Sequence, residues 1–268
     1  MKSLLRYPGG KSRALKHIIP YFPKKLTEIV SPFFGGGSIE IHYASQGVRV
    51  HGYDIFEPLV NFWQQVLEHP RDIANMIENC FRPCTKEMFK EYQAQHASTE
   101  DDVRLLFWRE MRACMFYALN RSSFSGATMS GGYSTQAAEK RFTQSSIDRL
   151  RNFVCPALTV EQADFADNLE RHDDETFVYA DPPYLLEKSS LYGERGSAHK
   201  DFDHQRFAEE IKKKNNWVIS YNPHPEILEL YKDYEIVYPE WSYGMSTDKK
   251  SKEILVLNVK VAKIVRTI

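Results

Sequence analysis

The chain contains no apolar run approaching the roughly 18 residues expected of a membrane-spanning helix. Its opening Met1-Lys2-Ser3 leads into no apolar stretch before Arg6, so a secretory leader is not expected. Cysteine is scarce, with four residues at Cys80, Cys84, Cys114 and Cys155. Cys80 and Cys84 lack a second ligand pair at finger spacing, which argues against structural zinc. Reduced thiols in the cytoplasm are the default expectation for such a chain. No internal repeat or low-complexity tract is visible. Excess charge is missing too: the net charge is −1, which argues against a uniformly basic nucleic-acid binder.

What remains is ordinary for a globular protein. The 268 residues are 42% hydrophobic, enough for a full core in one domain or in a domain with a large insert. The charge is balanced overall but unevenly spread. Between Arg104 and Arg151 eight Lys or Arg stand against three acids. From Lys249 to Arg266 six stand against the single acid Glu253. Two basic regions in a neutral chain fit a face that meets phosphates.

The pattern of elements predicts an α/β fold. Thr27 to Ser31 reads as a short apolar strand, and the glycines Gly35 to Gly37 then open a helix carrying Ile39, Ile41 and Ala44. Val48 to Tyr53 reads as a second strand that ends at Asp54. Strand, glycine turn, helix, strand and acid is the layout of a nucleotide-binding crossover. Further strands are expected at Leu158 to Val160, around Phe177, at Trp217 to Tyr221 and from Ile254 to Val261. Strands alternating with helices imply a mostly parallel, three-layer sheet. From about Leu59 to Arg151 helical spacing dominates, as in Leu105, Leu106, Trp108, Met111, Met115, Phe116 and Leu119. This region reads as an inserted helical subdomain, with a polar loop from Asn120 to Ser134. Leu185 to Asp203 is a lid candidate.

Asp181-Pro182-Pro183-Tyr184 is the most informative stretch. The apolar run Thr176-Phe177-Val178-Tyr179-Ala180 leads straight into it, so it sits at the C-terminal end of a buried strand, where open α/β sheets bind ligands. The Asp181 carboxylate and the Pro182 carbonyl can accept both N–H bonds of an exocyclic amino group. The prolines stiffen the turn by fixing φ, and Tyr184 offers a planar base a face to stack on. Hydrogen bonds to both amino hydrogens favour a more tetrahedral nitrogen with a localised lone pair. That assistance exists chiefly in the transition state. On the donor side, Phe33-Phe34-Gly35-Gly36-Gly37 lets backbone approach a ligand closely, and Asp54 can accept from ribose hydroxyls. Asp164 and Phe165 offer an adenine-amino acceptor and a stacking ring.

Three segments, in order, resemble the Dam-type DNA adenine-N6 methyltransferases: Arg6-Tyr7-Pro8-Gly9-Gly10-Lys11, Ser31-Pro32-Phe33-Phe34-Gly35-Gly36-Gly37-Ser38, and Asp181 to Tyr184. The similarity extends to Tyr117-Ala118-Leu119-Asn120-Arg121 with Phe124-Ser125-Gly126, to Ala163-Asp164-Phe165, and to Lys249-Lys250 before Glu253-Ile254-Leu255. The resemblance implies a Rossmann-like methyltransferase sheet, at 1–58 and 152–268, with a helical target-recognition subdomain at 59–151. It implies S-adenosylmethionine as donor and no metal. It also implies that Tyr7 and Lys11 lie near the methionine end and the methyl group, joined in the donor site by Phe33, Phe34, Gly35, Gly37, Asp54, Asp164, Phe165 and Asp181. The catalytic set is Asp181, Pro182 and Tyr184.

The target amino group lies inside duplex DNA, so the base must be flipped out. Asn120 and Arg121 are suited to reading adenine and guanine edges. Phe124 is suited to wedging between bases, with Ser122 and Ser125 beside it. Lys140, Arg141, Lys249 and Lys250 are expected to contact DNA. Where GATC-specific relatives carry a Phe-Asn-Val-Pro-like stretch, this chain has Gly131-Gly132-Tyr133-Ser134, which leaves the recognition sequence open. A cognate restriction endonuclease is a possible partner, and an enzyme acting without one is the other. Two rivals stand beside this reading. One is the same chemistry on another amino substrate, such as cytosine N4 or RNA. The other is a catalytically idle DNA-binding module on the same fold. No cysteine sits in a nucleophile motif, which counts against cytosine-C5 methylation, and no acid–base set follows the glycines as a dehydrogenase would need.

Overall fold

The computed structural model of this chain describes residues 1–97, 106–185, 202–239 and 253–259. Its centre is a seven-stranded sheet: β1 (Glu28–Ser31), β2 (Arg49–Asp54), β3 (Leu158–Gln162), β4 (Val178–Ala180), β5 (Trp217–Tyr221), β6 (Glu235–Val237) and β7 (Ile254–Asn258). The spatial order is β3-β2-β1-β4-β5-β7-β6. β1 to β5 run parallel, and β7 enters antiparallel between β5 and β6. The parallel strands are short and rich in Val, Ile and Tyr, as strands covered on both faces require. Strand order reverses between β1 and β4, which opens a crevice beyond their C-terminal ends. β6, a three-residue edge strand, is too short to stand out in the sequence. The lid candidate from Leu185 to Asp203 lies largely outside the described residues.

Among the described residues the helices are α1 (Leu15–Ile18), α2 (Ser38–Ala44), α3 (Glu57–Glu68), α4 (Pro70–Met76), α5 (Lys86–Ala97), α6 (Leu106–Ser122), α7 (Thr135–Arg141), α8 (Gln144–Arg151), α9 (Phe165–Glu170), α10 (His204–Ile211) and α11 (Pro225–Leu230). One core lies between α10, α11 and one face of the sheet, built on Val30, Val178, Phe207, Ile211, Trp217 and Ile227. The other joins the opposite face to the helical region through Ile29, Tyr179, Phe62, Trp63, Phe116 and Leu119. α3 links the two regions: its Gln64 Nε2 donates to the Val160 carbonyl of β3 at 2.9 Å, and its far side packs on α6. No helix among the described residues is long and apolar enough to cross a membrane.

Candidate active site

The glycine turn between β1 and α2 is pinned from all sides. Gly35 and Gly37 take positive φ, 50° and 62°, a backbone region that favours glycine. Asp54, at the end of β2, accepts the Gly35 N–H at 2.9 Å and the Phe56 N–H at 3.0 Å. Trp63 Nε1 donates to the Gly35 carbonyl at 3.1 Å, and Ser3 Oγ donates to that of Gly36. The Tyr7 ring lies so close to the turn that a Cβ on Gly35 would sit 3.2 Å from it. Burial pushes Asp54 above the usual carboxylate range, against its backbone hydrogen bonds.

The Phe34 side chain is 2% exposed and fills the space above Gly37 and Gly52, edge-on to Trp63, so only its backbone is placed to approach a ligand. A buried ring in that position shapes the turn from behind. Phe33 does face the crevice side, in an aromatic group with Phe165, Phe202 and Phe207. Asp164 caps α9 through the Ala166 N–H and pairs with both terminal nitrogens of Arg206, at 3.1 and 2.6 Å. Burial works against its charge, but the Arg206 hydrogen bonds hold Asp164 below the usual range. The guanidinium also lies over the Phe165 ring, 4.5 Å from its centre.

Beyond β4 the sequence-predicted residues converge. Lys11 lies in a helical turn near the N-terminus and is 3% exposed. Its ammonium meets Asp181 Oδ1 at 2.7 Å, donates to the Tyr184 hydroxyl at 3.0 Å and donates to the Gly9 carbonyl at 3.0 Å. The ammonium also sits 5.1 Å from the Tyr184 ring centre. Glu253, which the sequence reading left without a role, approaches the same nitrogen at 3.6 Å. Glu40, also unassigned from sequence, is buried in α2 and accepts from Ser31 Oγ at 2.8 Å. Burial raises Glu40 to about 7. Burial raises Asp181 to about 6, with Lys11 working the other way and Glu253 adding to the rise. Burial alone would lower Lys11, but the Asp181 and Glu253 carboxylates outweigh it, and Lys11 is held above its usual value.

The polar loop divides its residues sharply. Asn120 is 1% exposed and spends its amide on the protein. It accepts the Arg6 N–H at 3.1 Å and donates to the Arg6 carbonyl at 2.8 Å, the Gly126 carbonyl at 3.2 Å and Thr128 Oγ1 at 2.9 Å. No polar atom is left for a base edge, so its expected reading role is replaced by a structural one. Ser122 is wholly buried and likewise unable to reach DNA as it stands. Phe124 is 70% exposed, and Ser125 beside it takes a positive φ of 54°. The loop is held by the Ser123–Tyr133 bridge and by Phe124 N–H to Gly132 O at 3.0 Å.

Arg121 and Arg141 keep their basic character, and Arg6 and Arg149 join them. Arg121 Nε donates to the Arg141 carbonyl at 3.0 Å. Burial and the neighbouring Arg149 and Arg6 charges lower Arg121. Burial, Arg6 and Arg121 lower Arg141. Among the described residues, no ion pair links any of the four to a carboxylate. Lys140 is exposed nearby. Lys249 and Lys250 lie outside the described residues. A group of metal-ligand types, Glu28, His51 and His172, lies away from this crevice. Arg49 pairs with its Glu28, and burial, then the neighbouring His51, Lys214 and Arg171, oppose positive charge on His172.

The sequence matches known proteins. The profile of the D12 class N6 adenine-specific DNA methyltransferase family matches residues 7–245. The chain is 23% identical over 276 residues to the Type II methyltransferase M1.LlaDCHI of Lactococcus lactis subsp. cremoris, across 96% of this chain and 95% of that protein. It is 27% identical over 206 residues to the modification methylase LlaI of Lactococcus lactis subsp. lactis, across 73% of this chain but 32% of that protein. Against the DNA adenine methylase of Escherichia coli (strain K12) it is 24% identical over 197 residues, 68% of this chain and 65% of the relative.

Proposed function

This chain belongs to the D12 class N6 adenine-specific DNA methyltransferases, and on that premise we propose that Asp181, Pro182 and Tyr184 receive an adenine flipped from duplex DNA. The observation that carries this is the buried Lys11 ammonium held on Asp181 at 2.7 Å, at the sheet's ligand-binding edge. Lys11 orients the carboxylate, leaving it able to accept from the target amino group. The Pro182 carbonyl is the second acceptor. The Tyr184 ring, positioned through its hydroxyl by Lys11, supports the base.

The donor is S-adenosylmethionine, which supplies the methyl group as a sulfonium. One observation supports its fit: the adjoining glycine turn carries no Cβ and takes positive φ at Gly35 and Gly37, so its backbone can approach a ligand closely. Tyr7, Phe33, Gly35, Gly37, Asp54 and Phe165 are the residues that would hold the donor, with Asp164 once Arg206 yields. Donor binding by calorimetry and methyl transfer to plasmid DNA test the reading. Expression in a methylation-free host should yield modified adenines in one consistent sequence, and soluble protein without them would contradict it.

A pH dependence follows. Ionised Asp181 is the accepting form, and its pKa is raised to about 6. Activity should therefore be lost as pH falls through about 6. A kcat/KM profile reports the free enzyme's groups, and an acid limb near 4 would contradict the assignment.

The helical region 59–151 is the proposed target-recognition part. Phe124 is its wedge and Arg6, Arg121, Arg141 and Arg149 its phosphate contacts, because mutually repelling guanidinium groups gain most from a polyanion. Arg121→Ala is then expected to weaken all DNA sequences alike and to lower the salt slope by about one. Relaxed preference at one base pair would instead assign Arg121 to base reading. The relatives' names, Type II methyltransferase and modification methylase, support a place in restriction-modification beside a cognate endonuclease.

A further inference from the structure

We infer that Glu28, His51 and His172 form a binding site for a zinc ion, a structural staple set apart from the methyl-transfer crevice. One ligand atom from each residue lies within 4.8 Å of the other two. His51 Nε2 meets Glu28 Oε1 at 2.8 Å, and the His51 and His172 ring centres are 4.9 Å apart. A tetrahedral zinc shell with bonds of about 2.0–2.1 Å spaces its ligand atoms by roughly 3.3 Å. The close pair has to open slightly, and the wider spacing has to close by about 1.5 Å at most. All three side chains are half-buried, so both changes are small rotations at a partly open surface.

The fold explains the meeting. β1 and β2 pair in parallel, with Glu28 opposite Arg49 and Val30 opposite His51. Side chains alternate across a sheet, so Glu28 and His51 share the face on which Val30 and Tyr53 join the core. α9 packs on that face through Phe165 and Leu169. It begins beside the crevice, next to Asp164, and runs back along the sheet. His172, two residues beyond its end, therefore arrives where β1 begins. Tyr53 holds the His172 ring: its hydroxyl lies 2.9 Å from Nε2, the kind of outer partner that orients metal-bound histidines.

The charge and the donor types suit the ion. Among the described residues the neighbouring cations already have carboxylates: Arg49 with Glu28 at 3.5 Å, Arg171 with Glu161 at 3.4 Å and Lys214 with Asp174 at 2.7 Å. The Arg49 side chain is 66% exposed, so it can turn to water and free Glu28 for the metal. Two imidazoles and a carboxylate suit zinc, whereas calcium and magnesium take oxygen ligands. Three protein ligands leave a fourth position for water. A hydrogen bond to Glu28 accounts for one imidazole; a second drawn to the same point is what a metal requires.

Zinc chloride titrated into the chelator-treated chain tests this by calorimetry. One equivalent is expected to bind, and free zinc at about 100 times its Kd should raise the melting temperature by about 5–10 °C. His51→Gln, His172→Gln and Glu28→Gln should each lower the affinity by more than the roughly 10–100-fold that loss of an outer partner costs, and Tyr53→Phe by about that amount. Cys80 is an exposed thiol and the rival ligand, so a cobalt-substituted sample separates the sources. Imidazole and carboxylate ligands give weak visible bands, and a thiolate adds intense charge-transfer absorption. No zinc bound by the unaltered chain, an affinity unmoved in whichever ligand variants fold, or thiolate absorption that disappears in Cys80→Ser would each overturn the inference.

Discussion

Asp181→Ala is expected to lower kcat for methyl transfer by about 10²–10³-fold, the scale of removing one preorganised group aimed at developing charge. The carboxylate is held by Lys11 at 2.7 Å, so it meets the target amino group without reorganising. Its removal takes away an acceptor and no core volume. Glu253 remains as a counter-ion for Lys11, so the buried ammonium is not orphaned, and the melting temperature should change little. Donor affinity should fall far less than turnover, because the lost interaction belongs mainly to the transition state. Single-turnover methylation under saturating donor measures this directly. A rate within about tenfold of the unaltered enzyme would sink the assignment.

Asn120→Ala is expected to be the most damaging single change in the loop, and for a structural reason. One buried amide serves four hydrogen bonds that tie Arg6, Gly126 and Thr128 together. Removing it strands the buried Gly126 carbonyl and unties the Arg6 backbone of the segment that leads to Tyr7 and Lys11. A loss of about 2–4 kcal/mol is expected, since each stranded group costs about 1–3 kcal/mol. That corresponds to roughly 5–15 °C in melting temperature for a protein of this size. The donor should bind more weakly even below that temperature, because the Lys11 turn loosens. Calorimetric unfolding together with donor titration checks both. An unchanged melting temperature with relaxed sequence preference would return Asn120 to base reading.

The contrast between Asp181 and Asn120 marks how far the sequence carries. The sheet, the glycine turn and the acid at the end of β2 are legible because each is a local pattern: apolar run, punctuating glycines, polar strand end. Asp181, Lys11 and Tyr184 are singled out in the sequence and meet in space, although the Lys11–Tyr184 contact spans 173 residues of chain. The role of Asn120 is misread because burial is a tertiary property. An amide beside an arginine looks like a base reader until its four partners are known. Glu253 is silent for the same reason: an acid before an apolar strand has meaning only once that strand's direction and neighbours are fixed. The four arginines are visible in composition, yet their lack of carboxylate partners among the described residues is a fact of space.

The antiparallel entry of β7 between β5 and β6 has a consequence for biosynthesis. A chain leaving the ribosome presents its glycine turn and its Asp181 strand long before β7 exists. Until then β5 offers an open edge, and Lys11 faces Asp181 without Glu253. Domains commonly fold from the N-terminal side during synthesis, but this sheet is completed by its last described strand, which enters between β5 and the edge strand β6. A product of interrupted translation therefore carries every sequence motif of the pocket and still has an unfinished sheet. Such a fragment exposes an unpaired β-edge, the feature that invites aggregation, which the intact protein covers with β7.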